Sequence, residues 1–417
     1  MNATQQLRRT PIDELREGPL ARHLDAVERY LSERGYASVT KATYLGCLAR
    51  FAQWMQQQQL TAGCLDEDTI ARFVDDPSAQ GRRAGPASCR RGDLRAALHH
   101  LLVVLRAEVV IAAPRAGTTP VDAELQRFDQ HLDQVRGLAL QTRAQYRRTV
   151  GRLLREYFAA GHIDLAAITP NDLREFVARQ SALYRTPGGA ANLLSALRGY
   201  LRFRTTCGDR VHGLSGVLSY PANWQQAALP QALSRAEVAR LVASLGGPGP
   251  SARRTAAMVR CALDLGLRRG EIAALALDDI DWRAGAITLQ RTKGRRTDRL
   301  PLPATTGRAI ADYLQYERPP TTSRAVFVRR TAPRGRPVGA DGVAKAIRRA
   351  YARAGLPYTR AHLLRHTLAS RLLASGSSLK EVADVLRHRS LNTTLIYAKL
   401  DSRQLVTVAL PWPGEAP

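Results

Sequence analysis

The N-terminal two-thirds of the chain contains an internal repeat, and this repeat limits the architectures that the chain can adopt. The segment RYLSERGYASVTKATYLGCLARFAQWM, which begins at Arg29, is similar to QHLDQVRGLALQTRAQYRRTVGRLLREY, which begins at Gln130. Three identities keep one constant offset between the copies: Gly35 with Gly137, Thr40 with Thr142, and Tyr44 with Tyr146. Two degenerate copies are too few for a solenoid, so the repeat predicts a duplicated domain.

Each copy is predicted to be a small helical bundle. The second copy has an apolar stripe at helical spacing, formed by Tyr146, Val150, Leu153 and Leu154. Arginines lie between the stripe positions and are expected on the outer face: Arg143, Arg147, Arg148 and Arg152. A basic outer face suits a phosphate backbone, although solvated arginines on a helix exterior are the ordinary alternative. Duplication of one helical DNA-binding module is the preferred interpretation.

Two segments with proline or glycine and few charges separate the units. They lie at residues 112–120 and 220–230, and their composition is typical of linkers. The chain has 417 residues, which is enough for two to four domains of about 100–200 residues each. The predicted domains are therefore residues 1–111 (first repeat), 120–220 (second repeat) and 230–417.

The charge balance points to a polyanionic partner. The 62 lysines and arginines outnumber the 36 acidic residues, giving a net charge of +26, and most of these cations are arginine. Such a surplus favours binding to nucleic acid, here double-stranded DNA, because a guanidinium donates to two phosphate oxygens at once. A genome that favours arginine codons is the alternative explanation.

Composition also excludes several classes of protein. A hydrophobic fraction of 45% excludes wholesale disorder. No apolar run approaches the roughly 18 residues of a membrane span, and the N-terminus lacks an apolar signal segment, so a cytoplasmic protein with no membrane partner is expected. The five cysteines (Cys47, Cys64, Cys89, Cys207 and Cys261) are scattered without a C-x-x-C pair, which predicts buried or incidental thiols.

The C-terminal domain is predicted to be mostly helical with a small antiparallel sheet. The patterns Ser234-Arg-Ala-Glu237 and Ser378-Leu-Lys-Glu381 are typical of capping boxes, and an apolar helix is expected over about residues 252–265. Alternation predicts strands at residues 287–292 and 299–302, joined as a hairpin by a basic turn around Lys293, and a third strand at residues 325–328. The whole chain is thus expected to be mainly α, with tandem helical bundles before an α+β domain.

Several residues of this domain have chemistry suited to a phosphodiester. They are Arg268, Lys293, His362, Arg365, His388 and Tyr397. Taken singly, each has an ordinary alternative, such as a surface arginine, a solvated lysine or a packed tyrosine. His362 and His366 have the i, i+4 spacing of zinc ligands, which leaves a zinc hydrolase as a rival, but Leu363 stands where a metalloprotease has its glutamate.

Taken together and in this order, these residues resemble the catalytic signature of the tyrosine recombinases, the phage integrase family. The matching elements are Gly266-Leu-Arg268-Arg-Gly-Glu271-Ile, Lys293 in the hairpin, His362-Leu-Leu-Arg365-His366-Thr367, Leu386-Arg387-His388, and Thr393-Thr-Leu-Ile-Tyr397. The resemblance covers about residues 230–400. One departure is Arg387, where the family usually has glycine, commonly in a left-handed conformation at a helix end.

The resemblance implies a role for each residue. Tyr397 would be the nucleophile that forms a 3′-phosphotyrosyl link, and Arg268 and Arg365 would clamp the phosphate. Lys293 would protonate the departing 5′ oxygen, His362 would shuttle protons, and His388 would hydrogen-bond the phosphate. His366 is interpreted as a supporting or core residue that sets the helix, and Glu271 as a structural residue that orients a catalytic neighbour. No metal, cofactor or ATP is needed, because the ester energy is stored in the covalent link.

The resemblance also implies an assembly. In the family, a helical core-binding domain and the catalytic domain close around the duplex, and four protomers assemble on two sites. Residues 120–220 are the better candidate for the core-binding domain, whereas residues 1–111 are interpreted as a further SAM-like helical domain. The chain is therefore expected to form a homo-tetramer on DNA, or a hetero-tetramer with other recombinases, and to integrate, excise or transpose a mobile element. The alternative is a sequence-specific DNA-binding protein of the same fold that does not cut.

Overall fold

The structure is a computed structural model that describes residues 15–76, 91–112, 119–158, 161–184, 187–219, 231–247, 249–290, 297–387 and 396–397. The chain divides into two compact units, one made of Met1–Ala112 with Ala228–Pro417 and the other of Ala113–Ala227. Each of the three predicted domains contains a hydrophobic core of its own. The domain boundaries themselves stay a prediction.

The described part of the first repeat contains four main helices. They are α1 (Leu24–Glu33), α2 (Ser38–Gln57), α3 (Glu67–Asp75) and α4 (Arg91–Ala107). α3 begins at Asp66, whose side chain accepts a hydrogen bond from the Thr69 backbone N–H at 2.8 Å. Phe51, Trp54 and Phe73 pack together in the core between these helices.

The second repeat follows the same plan. Its helices are α5 (Pro120–Gln134), α6 (Leu140–Tyr157), α7 (Pro170–Ala182), α8 (Pro187–Thr206) and the short α9 (His212–Gly216). The aligned glycines follow equivalent helices, and both are left-handed, with φ of +73° at Gly35 and +55° at Gly137. The next helix starts after an extended alanine in each copy, Ala37 and Ala139. The repeat seen in the sequence is therefore a repeat of backbone structure.

In helix α6, the predicted apolar stripe is confirmed, but one of the four arginines predicted on the outer face is not solvated. Val150, Leu153 and Leu154 are buried, and Arg147, Arg148 and Arg152 are exposed, as expected. Arg143 is not a solvated outer residue, because its guanidinium pairs with Asp129 and Asp133 and is only 15% exposed. The two carboxylates belong to the neighbouring helix α5 and hold Arg143 against the bundle. The spacing of residues within α6 alone did not indicate these ion pairs.

The C-terminal part is mainly helical, as predicted. Its helices are α10 (Arg235–Ala243), α11 (Ala252–Asp264), α12 (Arg269–Ala274), α13 (Ala304–Tyr316), α14 (Ala340–Arg353), α15 (His362–Ala374) and α16 (Leu379–Val385). Both predicted capping boxes are present, at Ser234 with Glu237 and at Ser378 with Glu381. Among the described helices, none is both long and apolar enough to cross a lipid bilayer.

A three-stranded antiparallel sheet lies beside these helices. Its strands are β1 (Ile280–Asp281), β2 (Ala286–Leu289) and β3 (Asp298–Pro301), in the order β1-β2-β3, with Ile287 opposite Leu300. The predicted hairpin is thus confirmed as β2 and β3, and its turn lies outside the described residues.

Two expectations are wrong. Residues 325–328 make only isolated bridges, Ala276 with Ala325 and Val328 with Pro337, because their apolar side chains enter the core without pairing along a neighbouring strand. The third strand is β1 instead. Cys47 is not a free thiol: it is buried and disulfide-bonded, and its partner lies outside the described residues. The spacing of the cysteines along the chain did not indicate this disulfide.

Candidate active site

The candidate site begins at the tight turn between α11 and α12. Gly266 has φ of +61°, and a Cβ there would lie 2.9 Å from Leu386 Cδ2 and 3.0 Å from Leu368 Cδ2. Glycine is therefore needed for both the left-handed backbone and the close packing. This turn sets Arg268 directly before the first residue of α12.

Arg268 is held by Glu271, one turn along α12. The Arg268 backbone N–H donates to Glu271 Oε2 at 2.9 Å, and Arg268 Nη1 donates to Oε1 at 2.6 Å. The Glu271 side chain is only 9% exposed. Burial favours the neutral acid, but the cations Arg387 and Arg268 outweigh it, and the pKa of Glu271 lies below its usual value. The carboxylate is thus ionised at neutral pH.

Arg365 lies on α15 and is almost fully buried, with 1% exposure. Its Nη1 donates to the carbonyl of Gly266 at 2.5 Å, and its Nη2 donates to the carbonyl of Leu386. Burial, followed by the charges of Arg268 and Arg387, lowers the pKa of Arg365 to about 9. The group remains a cation at neutral pH, and backbone carbonyls rather than a carboxylate hold it in place.

Arg387, which follows α16, points back towards Glu271. It has φ of +55°, so the left-handed conformation expected at this position is confirmed. Its Nη2 donates to Glu271 Oε2 at 2.8 Å, and its side chain is 5% exposed. Arg268 Nη2 reaches the Arg387 carbonyl at 3.4 Å. One buried carboxylate therefore contacts two guanidinium groups.

The phenol of Tyr397 lies against α15 and is almost fully buried, with 1% exposure. Its hydroxyl is 2.5 Å from His366 Nδ1, and the rings of His362 and His366 meet edge to face with centroids 4.9 Å apart. Burial raises the pKa of Tyr397 to about 12, although the charge of Arg365 opposes this shift. Burial and the nearby Arg365 lower the pKa of His366, so its ring is neutral at pH 7 and able to accept the phenol proton.

The six residues expected to form the site divide into two groups. The structure describes four of them, and these four interact: Arg268, His362, Arg365 and Tyr397. The charge of Arg365 acts on the phenol of Tyr397. The pKa of His362 is lowered mainly by burial, and then by His366, Arg365 and Arg268. Lys293 and His388 lie outside the described residues.

Two residues of the cluster were not assigned to it from the sequence. His366 was interpreted as structural, yet it contacts the phenol directly. Its position next to Arg365 and one turn after His362 was the available signal. Arg387 was noted for its backbone only, and nothing in the local sequence indicated that its side chain pairs with Glu271.

The zinc alternative finds no support in the donor groups of this site. His366 Nδ1 already contacts the Tyr397 hydroxyl. Within the described parts of the chain, no group of three or more histidine, cysteine or acidic side chains is placed to hold a metal ion. Among the described residues, His362 and His366 have no third protein ligand of the kind that a zinc site uses.

Comparison with known families finds two matches along the chain. The phage integrase family matches residues 231–404, and the phage integrase N-terminal SAM-like domain matches residues 125–207. The first range contains every residue of the cluster described above, and the second lies within the second helical repeat.

Individual relatives agree. A Sinorhizobium fredii protein named as an integrase/recombinase, y4rA, is 37% identical over 422 residues, covering 100% of this chain and 99% of its own length. Tyrosine recombinase XerC of Pseudomonas aeruginosa is 31% identical over 291 residues, covering 69% of this chain and 93% of its own.

Solved structures show the same fold. The XerH site-specific recombinase bound to palindromic difH substrate, in a post-cleavage complex, aligns with a TM-score of 0.52 and 20% identity, over 82% of this chain and 95% of that one. The Tn1549 transposon integrase in complex with a circular intermediate DNA aligns with a TM-score of 0.51 and 16% identity, over 68% of this chain and 99% of that one. The mainly α architecture with a small antiparallel sheet is thus shared with these proteins.

Proposed function

Because the chain belongs to the phage integrase family of tyrosine recombinases, enzymes that cleave and rejoin DNA, we propose that it is a site-specific recombinase that cuts DNA through a covalent link to Tyr397. One observation carries this proposal: the Tyr397 hydroxyl lies 2.5 Å from a histidine nitrogen on the same helix as the buried Arg365. A nucleophile, a proton acceptor and a fixed cation thus lie close together.

The proposed cleavage step is a transesterification. The Tyr397 oxygen bonds to the scissile phosphorus while the bond from phosphorus to the 5′ oxygen breaks. The phenol proton passes to neutral His366 Nδ1, and Lys293 gives a proton to the departing 5′ oxygen. His362 relays protons, and His388 hydrogen-bonds the phosphate. The products are a 3′-phosphotyrosyl link and a free 5′ hydroxyl.

Arg268 and Arg365 stabilise the charge that develops on the non-bridging oxygens. Each terminal nitrogen of Arg365 has two hydrogens and donates to one backbone carbonyl, which leaves N–H groups for a phosphate. These carbonyl contacts fix the guanidinium before DNA arrives, and such preorganised charge is the main source of transition-state stabilisation in many enzymes.

Each step is assigned to a side chain of this protein, so the reaction is proposed to be independent of metal and ATP. The phosphotyrosyl ester keeps the energy of the broken bond, and attack by a 5′ hydroxyl of another strand rejoins the DNA. We assign this chemistry to integration, excision or transposition of a mobile element. The names of the similar proteins, an integrase/recombinase and a transposon integrase, support that role.

The proposed domain roles follow the repeat. Residues 120–220 form the core-binding domain, which closes on the duplex with the catalytic domain of residues 230–417, and residues 1–111 bind further DNA or serve assembly. The active species is a tetramer on two DNA sites, formed by this chain alone or with other recombinases. Exposed Arg147, Arg148 and Arg152 on α6 give the second repeat a basic surface suited to phosphates.

The test is covalent trapping on nicked suicide DNA built from inverted repeats found beside the gene. The wild type is expected to form an adduct that survives denaturation, and Tyr397→Phe is not. Tyr351→Phe is a matched control, because Tyr351 is also fully buried in the C-terminal part but lies outside the site, and it should form the adduct. An adduct in Tyr397→Phe would overturn the assignment of the nucleophile. Specific binding without an adduct in the wild type would favour the non-cleaving alternative.

A further inference from the structure

Arg387 is the residue of the site that departs from the sequence pattern of the family. It has φ of +55°, a conformation that L side chains rarely adopt and glycine adopts readily. An arginine here keeps the difficult backbone and adds a long cationic side chain. That side chain is 5% exposed and lies in the site itself.

The backbone of residues 386 and 387 is held by the two proposed clamp arginines. The Leu386 carbonyl accepts from Arg365 Nη2, and the Arg387 carbonyl accepts from Arg268 Nη2 at 3.4 Å. Both contacts involve main-chain oxygens, so they do not require a particular side chain at position 387. The function of the arginine side chain must be sought in its other contacts.

Its main contact is the ion pair with Glu271, at 2.8 Å. Glu271 also holds Arg268 by a 2.6 Å hydrogen bond to Nη1. Without Arg387, this buried carboxylate would contact Arg268 alone and would offset much of the charge that Arg268 offers to a phosphate. With Arg387 present, two guanidinium groups contact Glu271, and Arg365 interacts with it electrostatically. A second carboxylate, Asp298, also acts electrostatically on Arg387.

We propose that Arg387 is a positioning residue for DNA cleavage, which neutralises Glu271 and so leaves the guanidinium of Arg268 available to the scissile phosphate. This inference rests on the proposed function. It adds a third arginine to the machinery at a position where the family resemblance implies only a turn.

Single-turnover cleavage of the same suicide DNA tests it, with the cleavage rate at saturating protein and the Kd for DNA measured separately. Arg387→Gly suits the left-handed backbone and is expected to fold. Its cleavage rate should fall about 10-fold or more while Kd changes less than about 3-fold, because the effect lies in the transition state. Arg387→Lys, which keeps the charge, should recover part of the rate.

The double variant Glu271→Gln with Arg387→Gly separates charge from structure. Removing the carboxylate should restore part of the rate lost in Arg387→Gly, because Arg268 is no longer paired with an anion. Arg324→Ala is the matched control: it removes one arginine and one ion pair, to Asp278, but both partners are exposed and outside the site. It should cleave at the wild-type rate.

The outcomes are distinguishable. A wild-type rate in Arg387→Gly overturns the inference. A slow Arg387→Gly that neither lysine nor removal of Glu271 improves overturns it as well, because the effect is then structural. If the wild type forms no adduct, or Tyr397→Phe still forms one, the proposed function fails first. Partial recovery in both the lysine and the double variants supports the inference.

Discussion

The buried arginines of the second helical bundle differ from those of the candidate site in how their charge is matched. In the bundle, Arg204 pairs with Asp209 and with Glu124, which is fully buried and also contacts Arg127 and the hydroxyl of Tyr200. Burial opposes the charge of Arg204, yet its hydrogen bonds to the two carboxylates raise its pKa above the usual value. Partly buried Arg204 and buried Glu124 thus each have an opposite partner.

The site has the opposite balance. Arg268 and Arg387 both contact the carboxylate of Glu271, and Asp298 also acts electrostatically on Arg387, so three guanidinium groups outnumber two carboxylates. The pKa of Arg365 is lowered to about 9 by burial and by the other two arginines. The structure keeps these cations close together although they repel one another. A matched cluster stabilises the fold, whereas an unmatched one is suited to a missing anion, here a DNA phosphate.

The largest expected effect is on the unmatched cluster. Arg365→Ala should lower the rate of adduct formation on suicide DNA by about 10³-fold or more, because a preorganised donor to the phosphate is lost. Arg365→Lys keeps the charge but has one nitrogen in place of the two that reach the carbonyls of Gly266 and Leu386, and it should also be slow. Cleavage within 10-fold of the wild type in Arg365→Ala would show that the excess charge is not catalytic.

The matched cluster should respond in stability instead. Glu124→Gln leaves buried Arg204 with Asp209 only and is expected to lower the free energy of unfolding by about 3 kcal/mol, measured by urea denaturation. Glu175→Gln, which breaks an exposed pair with Arg179, should change it by less than about 1 kcal/mol. A cleavage defect in Glu124→Gln with unchanged stability would contradict the distinction between the two clusters.

The free energy of unfolding should fall at acid pH because of the two histidines of the site. The pKa values of His362 and His366 are lowered in the folded protein, by burial first and then by neighbouring cations that include Arg365. The unfolded chain therefore binds protons first, so these groups contribute stability above about pH 6.5 that is lost as the pH falls through their folded pKa values.

His362 is exposed to solvent, which screens the charges around it and reduces its contribution. The free energy of unfolding, measured against pH, should therefore fall by about 1–2 kcal/mol in total. His362→Asn with His366→Asn should flatten the dependence over this range. Equal slopes for the wild type and the double variant would show that the pKa values of these two histidines are not lowered on folding.

The smallest expected effect compares two contributions to the free energy of unfolding, the strain of a left-handed residue and the ion pair of Arg387. Val109 is left-handed, with φ of 59°, and 86% exposed, so Val109→Gly should raise the free energy of unfolding by about 1 kcal/mol. Arg387→Gly relieves a similar backbone but breaks the ion pair with Glu271, and it should gain less. Equal gains in thermal or urea denaturation would mean that the ion pair contributes nothing to stability.

Local sequence patterns predicted the elements of the fold well. Capping residues such as Ser234 and Ser378, and the glycines of the repeat, act within a few positions along the chain, so their effect can be read locally. The prediction of a strand at residues 325–328 was wrong, because an apolar run indicates burial but does not specify strand pairing. The disulfide of Cys47 depends on tertiary packing in the same way.

Motif order predicted which residues belong to the site but not how they interact. The pairing of Arg387 with Glu271 and the contact of His366 with Tyr397 join residues far apart in sequence, and no periodicity encodes them. The roles of Lys293 and His388 stay predictions. The structure adds the number of cations and carboxylates that contact each other in the site. That number can be given only when the partners of each charged group are known.

The contact between the Tyr397 hydroxyl and His366 closes within one polypeptide. Each copy of the protein can therefore hold every described member of the site in contact. If each copy uses its own phenol, a mixture of two inactive forms, one without the phenol and one without Arg365, contains no molecule with an intact set. In genetic terms, such lesions would then fall into a single complementation group.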